Sequence, residues 1–534
     1  MKARAPSWLR LAALASLLLL ACAGAWNHEL WVYDEPREAE LARAMWRSGN
    51  WTYTVLDEQP FLEKPPLFTA TVAGAFALAG QPSVLVARLV AVAWSFVTLG
   101  LVAWFARRTI APDAAWVGAL VLATTNRFFT CQHTILLDNA LCAFTTGALV
   151  FGWSAMNEKR RAFTFLAGAC LAGAFLTKGL VGVGIAGLVL GIEAVYLASL
   201  GEGPSGALML LPALPIALVP VLLYAWLLDR AGGHDFVCEL FWNNQLGRFF
   251  SGYNSVRTSW HLYLRTWHEM IGVWTPVVLY ALVPRPAARV RRFLLIWAFV
   301  PLGVLSLSQA RARFYAVPVT PAYALLVTLV WSQLALAGGA RSIVGWLWFA
   351  GGAGVLGTAL VFCRLAPGDP VPIVAALLAA GSLAGLLLLR GDAEAARETL
   401  ALAFLPLVVA GHVLLWSDFV VKSQEPHKSF KDVSDEVWKR AEGRRLFLYH
   451  IDDSKSGTFA FYADRSTPGF EKGQDPAGEK LVAAVGSNDL VLAPGGEIDS
   501  IPEEKRRAFA VEWESPRGDE KKDFVLYRRR EPPP

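Results

Sequence analysis

The chain has 534 residues, 55% of them hydrophobic and 17% charged, with a mean hydropathy of +0.41. Ordinary soluble domains carry about a quarter charged residues, which excludes a purely soluble protein. The net charge of +5 comes without the basic-aromatic array that binds single-stranded nucleic acid, so no nucleic-acid partner is expected.

Apolar stretches long enough to cross a bilayer, about 17–25 residues each, recur down to residue 416. Hydropathy places spans near 8–26, 84–106, 113–129, 139–156, 162–177, 179–198, 206–228, 267–283, 293–308, 314–337, 343–362, 371–389 and 399–416, about thirteen in all. The first follows Lys2 and Arg4 and contains "LLAC" at Leu19–Cys22. Such a stretch also resembles a cleavable lipoprotein leader, but the many spans behind it favour a retained first span. With the N-terminus inside, Arg107/Arg108, Lys159/Arg160/Arg161, Arg285/Arg289/Arg291/Arg292, Arg341 and Arg390/Arg397 fall in inside loops, as the positive-inside rule asks.

The loop 27–83 then faces outside, and it is acidic. Glu35 precedes Pro36 and is biased to extended backbone, while proline suits the first position of a helix. The helix is expected to run to about Ser48, with Gly49 as its stop. Ala42, Met45 and Trp46 give it an apolar stripe, so it is expected to lie on the membrane surface. Asp34 and Glu35 would sit at its positive end, and Glu40 and Arg43 can pair at i,i+3. In "FLEKPPLF", Lys64 and Pro65 both precede prolines and are held extended. Glu63 and Lys64 should therefore point to opposite sides; a turn with a surface ion pair is the plainer alternative.

Further polar residues stand at outer span ends. Asp138 in "LLDNAL" suits an N-cap, and Lys178 in "LTKGL" a helix C-terminus. "FWNNQLGRFFSG", Phe241–Gly252, reads as an outer loop carrying Asn244 and Arg248. Arg311 and Arg313 lie at an outer span end, against the charge rule. Arginine pairs well with phosphate oxygens, so an anionic lipid headgroup is a natural ligand. One outward polar mouth explains these residues better than many separate anchors. The six cysteines lack metal-binding spacing and read as small core residues.

After Trp416 the composition turns charged. A soluble α/β domain is expected over 418–534, following a membrane part over 1–417. Its helices are expected at Ser434–Glu442 and around Lys480–Val485, and its strands at Arg445–Ile451, Asp489–Ala493 and Asp523–Arg528, with a disordered end. It has neither a nucleophile elbow nor a phosphate-cradling glycine loop, so it reads as a docking or lid module.

In order, "DEPREAELARAM", "SGNW", "FLEKPPL", "LLDNAL", "LTKGLVG", "FWNNQLGRF" and "SLSQARARFYAVPVTPAYALL" resemble the aminoarabinose-transferase-like branch of the GT-C glycosyltransferases, which is related to the protein O-mannosyltransferases. "YHIDDSKSGTFAFYADR" resembles that family's periplasmic domain. The resemblance implies a polytopic α-helical GT-C fold with a small C-terminal α/β periplasmic domain. It implies transfer of a sugar from a polyprenyl (undecaprenyl) phosphate to a lipid, glycan or protein acceptor, at the outer face of a bacterial inner membrane. It assigns Asp34, with Glu35 and Asp138, to the catalytic acids, Lys64, Lys178 and Arg248 to the donor phosphate, and Glu63 to a polar or metal site; Arg311 and Arg313 join the phosphate contacts by charge. Two departures stand out. Glu38 occupies a position where the family often has tyrosine, and Asn244 one where histidine is common. An amide is a poor ligand for zinc-like ions, which puts a divalent metal in doubt.

The residue types agree with that chemistry. Polyprenyl phosphate is already a good leaving group, cations would stabilise its departing charge, and a carboxylate would act as base on an acceptor hydroxyl. A single displacement inverts the anomeric carbon. A lipid or solute transporter is the rival reading, but transporters tend to show repeated halves and broken helices at mid-membrane, and no repeat is visible. A non-catalytic assembly scaffold is a further alternative.

Overall fold

The computed structural model describes residues 7–22, 24–32, 34–112, 114–200, 208–252, 258–283, 289–333, 353–361, 363–364, 372–373, 376, 380, 409–413, 416, 420–471, 475–515 and 523–530. In chain order come α1 (Ser7–Cys22), α2 (Glu35–Ser48), the hairpin β1 (Thr54–Leu56) and β2 (Gln59–Phe61), α3 (Leu67–Ala79), α4 (Val84–Thr109), α5 (Ala114–Ala123), α6 (Asn126–Gln132), α7 (Asp138–Glu158), α8 (Arg161–Lys178), α9 (Leu180–Ser199) and α10 (Ala213–Val237). Then follow α11 (Leu262–Ile271), α12 (Thr275–Leu282), α13 (Arg289–Leu307), a 3₁₀ segment (Arg313–Val319) and α14 (Thr320–Gln333). The tail holds α15 (Lys422–Lys428), α16 (Lys431–Ala441), β3 (Leu446–Tyr449), α17 (Asp453–Ala463), β4 (Gly469–Phe470), α18 (Glu479–Ala484), β5 (Leu490–Pro494), β6 (Phe509–Glu514) and β7 (Phe524–Arg529).

Contacts divide the chain into two compact units, residues 1–26 with 91–421 and residues 27–90 with 422–534. The opening loop therefore folds with the tail, rather than with the membrane part over 1–417 in which the sequence reading placed it.

The first unit is helical. Among the described residues, six helices in the chain are long and apolar enough to cross a membrane: Val84–Thr109, Asp138–Glu158, Leu180–Ser199, Ala213–Phe250, Arg289–Leu307 and Arg313–Gln333. The expected span 113–129 is two helices, α5 and α6. Between them the Thr124 and Thr125 hydroxyls donate back to the Leu120 and Val121 carbonyls, a local alternative to the helical ladder. The expected break in 162–198 is at Gly179, whose φ of 69° glycine adopts at no steric cost. The sequence read as an outer loop at 241–252 instead continues α10 as a π-helical turn, Cys238–Gly247, beyond a kink at Gly233. Most of each span expected at 343–362, 371–389 and 399–416 lies outside the described residues.

The second unit is built on a five-stranded sheet of order β4-β3-β5-β7-β6. β3 runs parallel to β4 and β5, while β7 is antiparallel to β5 and β6. Side chains alternate between its faces. Leu446, Leu448, Leu490, Leu492 and Leu526 pack on Val433 and Val437 of α16 and Phe459 of α17. On the other face Phe447, Tyr449, Val491 and Ala493 meet Leu481 of α18 with Ile498 and Ile501. The strands and helices expected in the tail are present; α15, α17, β4 and β6 were not foreseen.

The opening segment joins this unit through α2. Its start beside Pro36 and its stop at Gly49, in the left-handed region at φ 69°, fall where the sequence placed them. Its environment does not. Glu35 to Arg43 are all buried, with α3, β1 and α17 packed against the helix. A helix enclosed by its own unit cannot rest on a membrane surface. Several of its polar residues pair inside that unit, as Glu40 and Arg43 do at 2.6 Å.

Candidate functional site

The N-terminal end of α2 gathers charge around one arginine. Arg37 has its Nη2 at 2.5 Å from Asp34 Oδ1 and 3.2 Å from Glu38 Oε1, and its Nη1 at 2.9 Å from Asp453 and 3.8 Å from Glu63. Asp34 precedes the helix but makes no side-chain capping bond; its carboxylate turns to Arg37 instead, three residues on. Lys64 closes the group at 3.5 Å from Glu63 and 3.9 Å from Glu38. Glu63 and Lys64 thus share one side, against the expectation of opposite faces, because the chain bends at these two residues instead of running straight.

Four carboxylates face two cations here. Burial works against the Arg37 guanidinium, but Glu63, Asp34, Glu38 and Asp453 outweigh it and hold its pKa well above the ordinary value. Lys64 is raised in the same way, with Glu63 its strongest support. Glu38 is pushed up by burial, and Lys64 and Arg37 oppose that shift. The Asp34 side chain is 20% exposed against 8% for Arg37 and 4% for Glu38, so Asp34 is the open carboxylate of its arm of the group.

Glu35 has a separate partner. Its two oxygens accept from Arg88 Nε and Nη2 at 3.1 and 2.8 Å, and one also accepts from the Trp31 N–H at 3.0 Å. Arg88 further donates to the His28 and Glu29 carbonyls. Both side chains are buried, which makes this pair the anchor of α2.

In the helical unit, Asp138 begins α7 without capping it. Its carboxylate accepts from Lys178 Nζ at 2.7 and 2.8 Å, and the ammonium lies 4.4 Å from the Tyr315 ring centre. At Gly179 a Cβ would collide with Gln245, whose Oε1 accepts from the Leu180 N–H at 3.0 Å. This contact brings the "WNNQLGR" turn, which ends at Arg248, to the Lys178 end of α8. In that turn Asn243 and Asn244 both donate to Glu239, at 2.6 and 2.8 Å. Arg311 donates to the Thr258 and Ser306 carbonyls, and Arg313 lies 3.5 Å from Glu269. Those two arginines pair with partners of their own; Lys178, Asp138 and the Arg248 turn form the local group.

Glu63 faces two cations and Asp138 faces one, while Asn244 donates its amide N–H to Glu239. Among the described residues no three His, Cys, Asp or Glu side chains form a metal-holding group.

The sequence reading passed over Arg37, Glu38, Arg88, Glu239 and Asp453 as site residues. For Arg88 a signal existed, since a lone arginine in an apolar helix demands a partner. For Asp453 there was none, because its partner lies 416 positions away.

Residues 7–228 match the family model for dolichyl-phosphate-mannose-protein mannosyltransferase. An undecaprenyl phosphate-alpha-4-amino-4-deoxy-L-arabinose arabinosyl transferase of Pseudomonas aeruginosa (strain LESB58) is 29% identical over 56% of this chain and 55% of its own length. The chain thus spans about half the length of that curated relative. Among solved structures, ArnT from Cupriavidus metallidurans bound to undecaprenyl phosphate superposes with a TM-score of 0.73 at 20% identity, over 98% of each chain. The archaeal oligosaccharyltransferase AglB from Archaeoglobus fulgidus gives 0.50 at 12% identity, over 95% of this chain and 72% of its own. The chain thus shares its fold with ArnT, and it is similar in sequence to the aminoarabinose transferases and, over residues 7–228, to the protein mannosyltransferases.

Proposed function

We propose that the chain is an inner-membrane glycosyltransferase of a bacterium, moving a sugar from a polyprenyl phosphate to a lipid, glycan or protein acceptor. The observation that carries this reading is the group at the start of α2, an accessible Asp34 carboxylate beside the cations Arg37 and Lys64. The relatives' printed names support undecaprenyl phosphate as the carrier. About thirteen spans, with the opening loop and the tail outside, complete the reading; loop charge supports that orientation.

The acceptor hydroxyl oxygen attacks the anomeric carbon as the bond from that carbon to the phosphate oxygen breaks. The electron pair leaves with the polyprenyl phosphate, and the hydroxyl proton passes to Asp34 as general base. Inversion follows. Lys64, Lys178 and Arg248 stabilise charge on the departing phosphate, and Arg311 and Arg313 add positive potential for the lipid headgroup. Glu35 holds Asp34 in place through Arg88, and Asp138 holds Lys178. No step is routed through a metal.

Purified protein in lipid, given a labelled undecaprenyl-phosphate sugar, tests the reading. Asp34→Asn should bind donor and fail to transfer; wild-type transfer by a folded Asp34→Asn would refute it.

A further inference from the structure

We infer that Asp453, on the C-terminal tail, is a positioning residue for the transfer reaction, fixing the Arg37 fork that orients Asp34. This rests on the proposed role of Asp34 as base.

The argument begins with the two nitrogens of the fork. Nη2 serves Asp34 at 2.5 Å and Glu38 at 3.2 Å. Nη1 has two carboxylates within reach, Asp453 at 2.9 Å and Glu63 at 3.8 Å. A guanidinium is planar and rigid, so its two nitrogens move together. Asp453 decides which way the fork turns. Without its charge, Nη1 is drawn toward Glu63, and Nη2 must leave its place beside Asp34.

The backbone around Asp453 is built for this contact. Asp453 is the first residue of α17, and Gly457, one turn later, lies where a Cβ would stand 2.4 Å from the Pro36 carbonyl oxygen and 3.0 Å from Arg37 Cα. No side chain fits there. The absent Cβ lets α17 press onto the very turn that carries Arg37. At the far end of α17, Asp464 takes Arg43 at 3.0 Å and pairs with Arg47, and between the two ends Tyr462 donates to Glu29 at 2.8 Å. The tail therefore grips the opening segment at several points, but among the described residues only Asp453 reaches the arginine that touches Asp34.

Asp453 is also a poor candidate for a merely stabilising role. Its side chain is 37% exposed, and an ion pair open to solvent contributes about 0–1 kcal/mol. Fixing a geometry is a different matter, since small misplacements of reacting groups cost up to about a hundredfold in rate.

The test compares Asp453→Asn, Asp453→Glu, Asp464→Asn and Asp34→Asn in the full chain in lipid, each measured for thermal stability, kcat and donor KM. Asp453→Asn should lower kcat about tenfold with donor KM within about twofold and thermal stability near wild type. Asp453→Glu should restore most of kcat. Asp464→Asn should leave kcat unchanged. A wild-type kcat in Asp453→Asn, alongside an inactive Asp34→Asn, overturns this inference and leaves the proposed function standing. Equal kcat losses in Asp453→Asn and Asp464→Asn also overturn it, since the effect would then be general loosening. An active Asp34→Asn removes the proposed function itself.

Discussion

The Lys178 ammonium sits 2.7 and 2.8 Å from the two carboxylate oxygens of Asp138. Forty positions separate them in sequence, and both are buried. Breaking such a pair leaves one charge uncompensated and costs about 3–5 kcal/mol.

Lys178→Met alone should therefore lower thermal stability, and lost transfer in that variant would not isolate a phosphate role. The double variant Asp138→Asn/Lys178→Met removes both charges and should recover most of the stability. If Lys178 serves the leaving phosphate, the recovered protein still transfers ten to a thousand times more slowly, about the value of one charge-stabilising donor. A double variant transferring at the wild-type rate would make the pair an anchor only.

Glu35 and Arg88 form the second buried pair, and their loss should show in stability first. Glu35→Ala leaves Arg88 buried without its carboxylate, and unfolding should be easier by about 3–5 kcal/mol. Thermal or denaturant unfolding in a fixed detergent reads this directly. A stable Glu35→Ala that has lost transfer would instead place Glu35 among the reacting groups.

Asp57 gives the second unit a pH dependence of defined sign. Burial, then Glu40, Glu471 and Asp453, push its carboxyl up from 3.8 to about 8, against a bond from Ser456. The folded state holds this proton more tightly than the unfolded chain does. Its contribution to stability is thus full below about pH 4 and lost as pH rises toward 8. Asp57→Asn should flatten the fall in melting temperature of the full chain between pH 5 and 8. Asparagine also accepts the φ of 52° at this position. An unchanged slope would show that another group governs it.

Gly457→Ala places a methyl group against the Pro36 carbonyl, which is backbone and cannot step aside. The cost should be about 1–3 kcal/mol, with transfer falling as α17 is pushed from α2. Wild-type stability and transfer in this variant would mean that the contact is looser than it stands here.

Orientation is open to labelling. Gln59 on β2 and Glu504 near the chain end are exposed in the same unit. Cysteines at both should react with an impermeant reagent from the periplasmic side of intact cells. Reaction only after the inner membrane is opened would reverse the proposed orientation.

What could be read from the sequence was whatever has a local cause. Pro36 and Gly49 bound α2, and Gly179 separates α8 from α9, because one residue's backbone preference settles each event. The candidate charges Asp34, Glu63 and Lys64 were found because charge beside apolar spans is conspicuous. Partners were harder. Nothing near Arg37 announces Asp453, nothing near Arg43 announces Asp464, and α2 looked amphipathic because its buried acids and arginines neutralise one another out of sight. The Asn244 position was read as a departure from a metal ligand. The structure adds that a π-helical turn brings it to Glu239, through a backbone irregularity that no residue pattern marks.

The bond between Arg37 and Asp453 also sets an order of events during synthesis. The first partner leaves the ribosome 416 residues ahead of the second, and at about 5–20 residues per second that gap lasts roughly 20–80 seconds. Throughout it the opening segment waits with its acids, arginines and apolar side chains uncovered, while the intervening helices are made. Nascent protein should therefore remain sensitive to protease at residues 27–90 until translation has passed α17, and only then become resistant.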